Sequence, residues 1–521
     1  MRIMVSSGLH GTTKDTARAI RLIFIAALSL TGVAELFSSK PAAQEQPHPP
    51  IAVRFHLDRQ GFVTLVIENE QGQRVRNLVS ETFFPAGDNV AWWDGLDDLG
   101  RDQNSAAHAV YRVPGKLVAP GTYTVRGLYR QQIDLKYEFA VYNPGQPPWM
   151  TSDTSSQWLT NHTPAGAVCF VPRGTVPVHS KLDVGSPPQI LIGSYVAEGG
   201  SGLAWVNLDG HKLHGQMWVG GVWTGAEQIT RDLGSHALPG VYAYVASSWS
   251  GELRLHKLVN DQQRAPKAPS DARFGSGEDP AVLNPRWKYP KPDLGALGGL
   301  AAYNGLLFVS LPKMNELLLI DAALSRVIGA VPIPNPGGLF ADGKGNLFVI
   351  SGNKVLRMIV PQKVQVHQQA DLGMPQTFIG NDLENPQQMT MDAAQNLYVS
   401  DWGKSNQVKV FSPSGKFLRS IGLAGVVVAG PYDPKLMHRP KGITIDDRDQ
   451  LWVAEEDFQP KRVSVWGLDG QLLRTFDGPV TYGGGGNLDP KDKTLFYLDG
   501  MTFRLNWTTG ESRLIEIHHR P

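Results

Sequence analysis

The chain has 521 residues, with 49 basic and 48 acidic side chains, 56 glycines and 37 prolines. That length accommodates two or more domains. The balanced charge excludes bulk electrostatic attraction to nucleic acid, which needs a basic face. Abundant Gly and Pro suit a turn-rich all-β chain, and the single cysteine, Cys169, excludes an internal disulfide and reads as a small buried apolar residue.

Lys14, Arg18 and Arg21 precede an apolar run from Leu22 to Ala34, and Gly32-Val33-Ala34 supplies small residues at a cleavage point. Residues 1–34 therefore read as a secretory signal, which implies export to the periplasm or the extracellular space. The run falls short of the roughly 20 apolar residues that a span requires, so no membrane span is expected beyond this segment. Residues 35–50 form a Pro/Gln/Ala linker. From Ile51 to about Arg130 short alternating runs (Val53, Phe55, Leu57; Val63, Leu65, Ile67) are cut by turn signals, which predicts a small β-sandwich. Ala86-Gly87, Trp93-Asp94-Gly95, Gly100 and Ala119-Pro120-Gly121-Thr122-Tyr123 resemble the immunoglobulin-like domain of the flagellar hook-capping (FlgD) type. The resemblance implies a fold. Trp93-Asp94-Gly95 has a structural explanation, with a packed indole and an Asp-Gly turn. Asp102 to Pro114 is an insertion, and residues 131–160 are a connector.

Residues 161–521 carry units of paired short strands. Two units are clear: Asn385-Pro386 through Asp392 to Leu397-Tyr398-Val399 and Asp401, and Arg439-Pro440 through Asp446 to Leu451-Trp452-Val453 and Glu455. Each continues into a third strand and a Gly turn, Val408 to Gly415 and Val463 to Gly470. Weaker units centre on Gln189–Val206, Val241–Leu255, Leu300–Ile320, Asn335–Arg357 and Thr494–Ile515. Period-two runs recurring at about forty residues indicate propeller blades, which bury their faces only by stacking around an axis. The two clear units resemble NHL repeats in their X-Pro start, their Leu-aromatic-Val triplet and the acid that follows. The expected architecture is an all-β chain, an immunoglobulin-like sandwich followed by a propeller, with seven blades preferred and six the alternative.

Antiparallel connectivity puts the loop leading into each first strand and the loop joining the second and third strands on one face. Two insertions fall there: Asp261–Asp293, with Trp287 and Tyr289, and Gly425–His438, with Tyr432. The expected binding face therefore comprises Gln387, Asp401, Trp402, Lys404, Asn406, His438, Arg439, Lys441, Glu455, Glu456, Asp457, Trp287 and Tyr432. Asp401 and Glu455 have a second reading, as acids that bond loop amides or pair with a nearby cation. NHL-like rings are related in shape to peptidyl-hydroxyglycine lyases and calcium-dependent lactonases. A zinc site lacks clustered histidines, with His211 and His214 weakly spaced and His438 alone. Asp401, Glu455 and Asp499 are the candidate ligands for a divalent cation such as calcium; no other cofactor is expected. The first expectation is a non-enzymatic binding or scaffold protein for a peptide, protein or glycan, with nucleic acid disfavoured. The alternative is a metal-dependent hydrolase or lyase acting at the hub.

Overall fold

The computed structural model describes residues 49–100, 115–134, 159–175, 187–219, 222–249, 253–259, 295–361, 372–478 and 486–518, with the backbone of 3–5. The rest of the expected signal segment, the insertion at 102–114, most of the connector, and the insertion at 261–293 with Trp287 lie outside them, and so does His519. Among the described residues no helix is long and apolar enough to cross a membrane. The chain divides into two compact units, Met1–Tyr137 and Glu138–Pro521.

In the first unit one sheet runs β1 (Ile3–Val5), β6 (Thr124–Arg130), β3 (Gly61–Glu68), β4 (Arg74–Phe84), and a second pairs β2 (Ile51–Leu57) with β5 (Gly87–Trp93). The alternating residues Val53, Phe55 and Leu57 share one core with Val63, Leu65 and Ile67. The Trp-Asp-Gly segment is turn chemistry. Trp93 Nε1 donates to the Leu96 carbonyl at 2.9 Å, and its ring meets Tyr123 edge-on at 5.3 Å. Asp94 Oδ1 accepts the Leu96 amide at 3.0 Å, and Gly95 takes φ +77°.

The second unit contains six antiparallel sheets contiguous in sequence. They are β7 (Ala165–Val171), β8 (Gln189–Ser194), β9 (Leu203–Asn207) and β10 (Lys212–Gln216); β11 (Gln228–Thr230), β12 (Val241–Ser247) and β13 (Arg254–Val259); and β14 (Gly299–Tyr303), β15 (Leu306–Leu311), β16 (Glu316–Asp321) and β17 (Arg326–Pro332). Next come β18 (Pro336–Ala341), β19 (Asn346–Ser351), β20 (Lys354–Ile359) and β21 (Gln376–Ile379); β22 (Asn385–Met391), β23 (Leu397–Trp402), β24 (Gln407–Phe411) and β25 (Phe417–Ile421); and β27 (Pro440–Ile445), β28 (Gln450–Glu455), β29 (Arg462–Gly467) and β30 (Leu472–Asp477). The repeated acid after the first strand is explained locally. Asp446 accepts the Arg448 and Gln450 amides at 2.9 Å and Trp452 Nε1 at 2.8 Å. Asp392 accepts the Asn396 amide at 2.8 Å and Tyr398 OH at 3.1 Å. One carboxylate thus closes the turn and holds the aromatic of the Leu-aromatic-Val triplet.

The first strands of the six sheets neighbour one another in the cycle β7, β11, β14, β18, β22, β27 and back to β7, a β-propeller-like arrangement. Hydrophobic clusters fill the spaces between successive sheets. The cluster joining the last sheet to the first packs Val168, Ile190 and Ile192 against Trp452, Val463 and Val465. The unit expected as a seventh blade is present as a sheet of β31 (Asn487–Leu488), β32 (Leu495–Leu498), β33 (Met501–Asn506) and β34 (Glu511–Ile517). Its edge pairs instead with β26 (Gly430–Pro431), and its core takes in Val427 and Tyr432 of the 425–438 insertion. The seam where it would sit is already filled by the apolar faces of the sixth and first sheets.

Close approach around the axis requires residues without side chains. A Cβ on Gly338 would lie well inside contact with the Gln387 carbonyl, and one on Gly442 would lie 2.7 Å from Ala167 Cα. Gly338→Ala is expected to destabilise the fold by about 1–3 kcal/mol, because backbone must move. Thermal denaturation against Gly373→Ala, where the added carbon meets only Ile359 at 3.9 Å or more, checks this; an equal or smaller cost at Gly338 would contradict it.

Candidate functional site

Of the loops expected on one face, those carrying Trp402, Asn406, His438, Arg439 and Asp457 meet at one cavity. Asn385, Trp402, Asn406, Val426, Val427, Met437, His438, Arg439, Asp457, Phe458, Gln459 and Asp499 line one cavity of about 650 Å³. It draws on the loops flanking β22, β23, β27 and β28, on the insertion and on the C-terminal sheet. Arg439 is exposed and its guanidinium stands over the Trp402 ring, 5.9 Å from the centroid. Trp402 Nε1 donates to the Pro440 carbonyl at 2.7 Å, which fixes the indole beside the cavity. Phe458 is exposed, and Gln459 Nε2 donates to the Asp499 carbonyl at 2.9 Å, tying the rim to the C-terminal sheet.

Asp401 and Glu455 do not face this space. Both are fully buried. Asp401 accepts the Asn385 amide at 2.8 Å and the Glu384 amide at 3.1 Å, and pairs with Lys409 at 2.7 Å. Glu455 accepts the His438 amide at 2.6 Å and Ser464 Oγ at 2.5 Å, and pairs with the buried Arg462 at 2.8 Å. Each acid anchors the loop leading into its sheet's first strand. Arg462 also donates to the Leu436 carbonyl at 2.8 Å and to the Tyr432 hydroxyl, so it holds the insertion from below. Tyr432 is accordingly a packed anchor. The candidate cation ligands Asp401, Glu455 and Asp499 are not gathered into one group, and the two buried acids are engaged by Lys409 and Arg462. Among the described residues no group of three or more His, Cys, Asp or Glu is arranged to hold a metal. Lys404 is exposed, with its amide on Glu384 at 2.7 Å, and Gln387 bonds Asn385 at 2.9 Å.

Lys441 and Glu456 pair at 2.6 Å beside Gly166, at the mouth of the hub. Below them a channel of about 190 Å³ is lined by residues of all six first strands. Gln388 Nε2 crosses the ring to Gln228 Oε1 at 2.9 Å and to the Gly298 carbonyl at 2.8 Å. Glu227, which the sequence reading missed, is buried here. It accepts the Ser248 amide at 2.9 Å, Ser248 Oγ at 2.7 Å and the Leu297 amide at 2.6 Å, and so clasps the second sheet to the third. Burial pushes its carboxyl up to about 7, against the pull of these donors and of Lys441. Cys169 lies in the channel wall, and burial pushes its thiol up to about 11, which makes it inert.

No family model and no curated protein matches the chain. Among solved structures it is similar to a nidogen/laminin complex (14% identity, 59% of this chain and 92% of that chain, TM-score 0.33). It is also similar to virginiamycin B lyase from Staphylococcus aureus (12%, 54% and 81%, TM-score 0.30) and to a protein of unknown function from Bacteroides caccae (16%, 49% and 78%, TM-score 0.28). These likenesses concern the β-propeller-like fold alone.

Two outcomes follow from this geometry. Glu455→Ala strands a buried guanidinium and should cost about 3–5 kcal/mol, while Glu455→Ala combined with Arg462→Met should regain part of it; urea denaturation of the three proteins decides. The native Glu227 carboxyl takes up its proton at higher pH than a free one. Between pH 4.5 and about 7 the folded state therefore binds more protons, and stability falls as pH rises through that window. Melting temperatures at pH 5 and pH 7 should differ more in the wild type than in Glu227→Gln; equal differences would contradict the assignment.

Proposed function

We propose that this chain is an exported binding or scaffold protein in which a FlgD-type immunoglobulin-like domain carries a six-bladed NHL-type ring. The loop-bearing face of the ring takes a peptide, protein or glycan ligand. The observation that carries this reading is the cavity on that face. It combines an anchored indole, an exposed Arg439, an exposed Phe458 and the polar groups of Asn385, Asp457 and Gln459. Ligand sites have this composition: apolar and aromatic walls with a few placed polar groups. Cyclic closure of six sheets and interlocking apolar seams support the ring, and the shared core of two small sheets supports the sandwich. Export rests on the signal-like segment, and the NHL and FlgD readings rest on the residues that carry those resemblances.

The metal-dependent hydrolase or lyase is the weaker reading, because its proposed ligands Asp401 and Glu455 already serve as buried loop anchors. Arg439 and Phe458 are exposed, so replacing them leaves the core intact. Peptide and oligosaccharide arrays probed with the full chain should yield binders whose affinity falls about tenfold or more, or roughly 1.4 kcal/mol, in Arg439→Ala and Phe458→Ala. The melting temperature should hold. Binding indifferent to both changes, or no binder in either array, would overturn the proposal.

A further inference from the structure

The hub mouth adjoins the cavity through near neighbours in sequence: Arg439 and Lys441 at the start of β27, Glu456 and Asp457 just after β28. From there a connected row of groups continues onto the first two sheets. Lys441 pairs with Glu456 beside Gly166 of the first sheet. Tyr195, just past β8 of that sheet, accepts the Gly225 amide on its carbonyl at 3.0 Å, and Glu227, two residues on, accepts from Ser248. Tyr195 meets Trp249 edge-on at 5.7 Å, and Trp249 is exposed. The row therefore crosses four consecutive sheets. One end presents Trp402 and Phe458, the other Tyr195 and Trp249, and the middle presents a partly exposed ion pair above carboxamides and hydroxyls.

We propose that this row binds a neutral oligosaccharide lying across the hub mouth, a proposal that rests on the reading of this face as a binding surface. The chemistry selects the class. A sugar ring offers an apolar C–H face and a rim of hydroxyls that both donate and accept. The first matches the exposed rings of Trp249 and Phe458. The second matches groups that supply donor and acceptor side by side, as Lys441–Glu456 does. An anionic ligand would need uncompensated cations, but Lys441 is neutralised by Glu456, and Asp457 and Asp499 offset Arg439 at the cavity. Two aromatic stations separated by the hub suit a chain of several sugars, with each station contributing to affinity.

The test is calorimetric titration of the full chain with neutral hexasaccharides of glucose, mannose and N-acetylglucosamine, with hexagalacturonate, and with a peptide drawn from the arrays above. The expected result is binding of a neutral hexasaccharide, weakened about tenfold by Trp249→Ala and by Glu456→Gln, with unchanged melting temperature. The corresponding trisaccharide should bind more weakly and lose most of its dependence on Trp249. Binding of hexagalacturonate alone, or a neutral hexasaccharide indifferent to both substitutions, overturns the proposal. Peptide binding without saccharide binding, sensitive to Arg439→Ala, overturns it while leaving the binding reading intact. No binding of any probe overturns both.

Discussion

Everything on the loop-bearing face depends on how the ring is closed. Among the described residues each of the six sheets is a contiguous piece of chain, with no strand contributed from the other end. Closure is made by side chains and close backbone approach alone. Val168, Ile190 and Ile192 pack on Trp452, Val463 and Val465, and Gly442 lets its strand lie against Ala167. Polar ties span the same seam. Phe170 N donates to Thr444 Oγ1 at 3.1 Å, Lys461 Nζ donates to the Asn161 carbonyl at 2.7 Å, and Arg448 pairs with Asp209 at 2.8 Å. Burial lowers the Lys461 ammonium to about 7, so this tie works against desolvation, and the apolar contacts carry the seam.

With the ring closed, the remaining chemistry is one of loop placement. Asp401 and Glu455 spend their charge on amides and cations beneath the face. The loops they anchor can then place Asn385 and Arg439 at the cavity without losing their own order. The 425–438 insertion is held from below by Arg462 and from the side by the C-terminal sheet, which contributes Asp499 to the cavity wall. A segment that looks like another repeat has become the support of the 425–438 insertion.

The sequence was most legible where one residue type has one physical job. Asp392 and Asp446 mark a turn that needs a carboxylate, and the aromatic six residues later in each unit is the one that carboxylate holds. The sharing of one face by Trp402, Asn406, His438, Arg439 and Asp457 followed from antiparallel connectivity. The unit at 495–515 has blade-like alternation, but alternation cannot say which sheet edge it meets; that is decided by the fit at the Trp452–Ile190 seam. Glu227, Tyr195 and Trp249 lie in the two least regular sheets, where no repeat register points to them. Their significance appears only when the ring brings residues about two hundred positions apart to the hub.

Closure between the sixth sheet and the first is open to a direct energetic measurement. A Cβ on Gly210, in the first sheet, would overlap the ring of Phe476, in the sixth, which is stacked on Trp452 with an interplanar angle of 12°. A double-mutant cycle on Gly210→Ala and Phe476→Ala therefore reads the contact itself. The predicted result is strong coupling: Gly210→Ala costs at least about 1 kcal/mol less when Phe476 is already alanine. Additive costs would mean that the two sheets do not meet, and the closed six-sheet ring would be wrong.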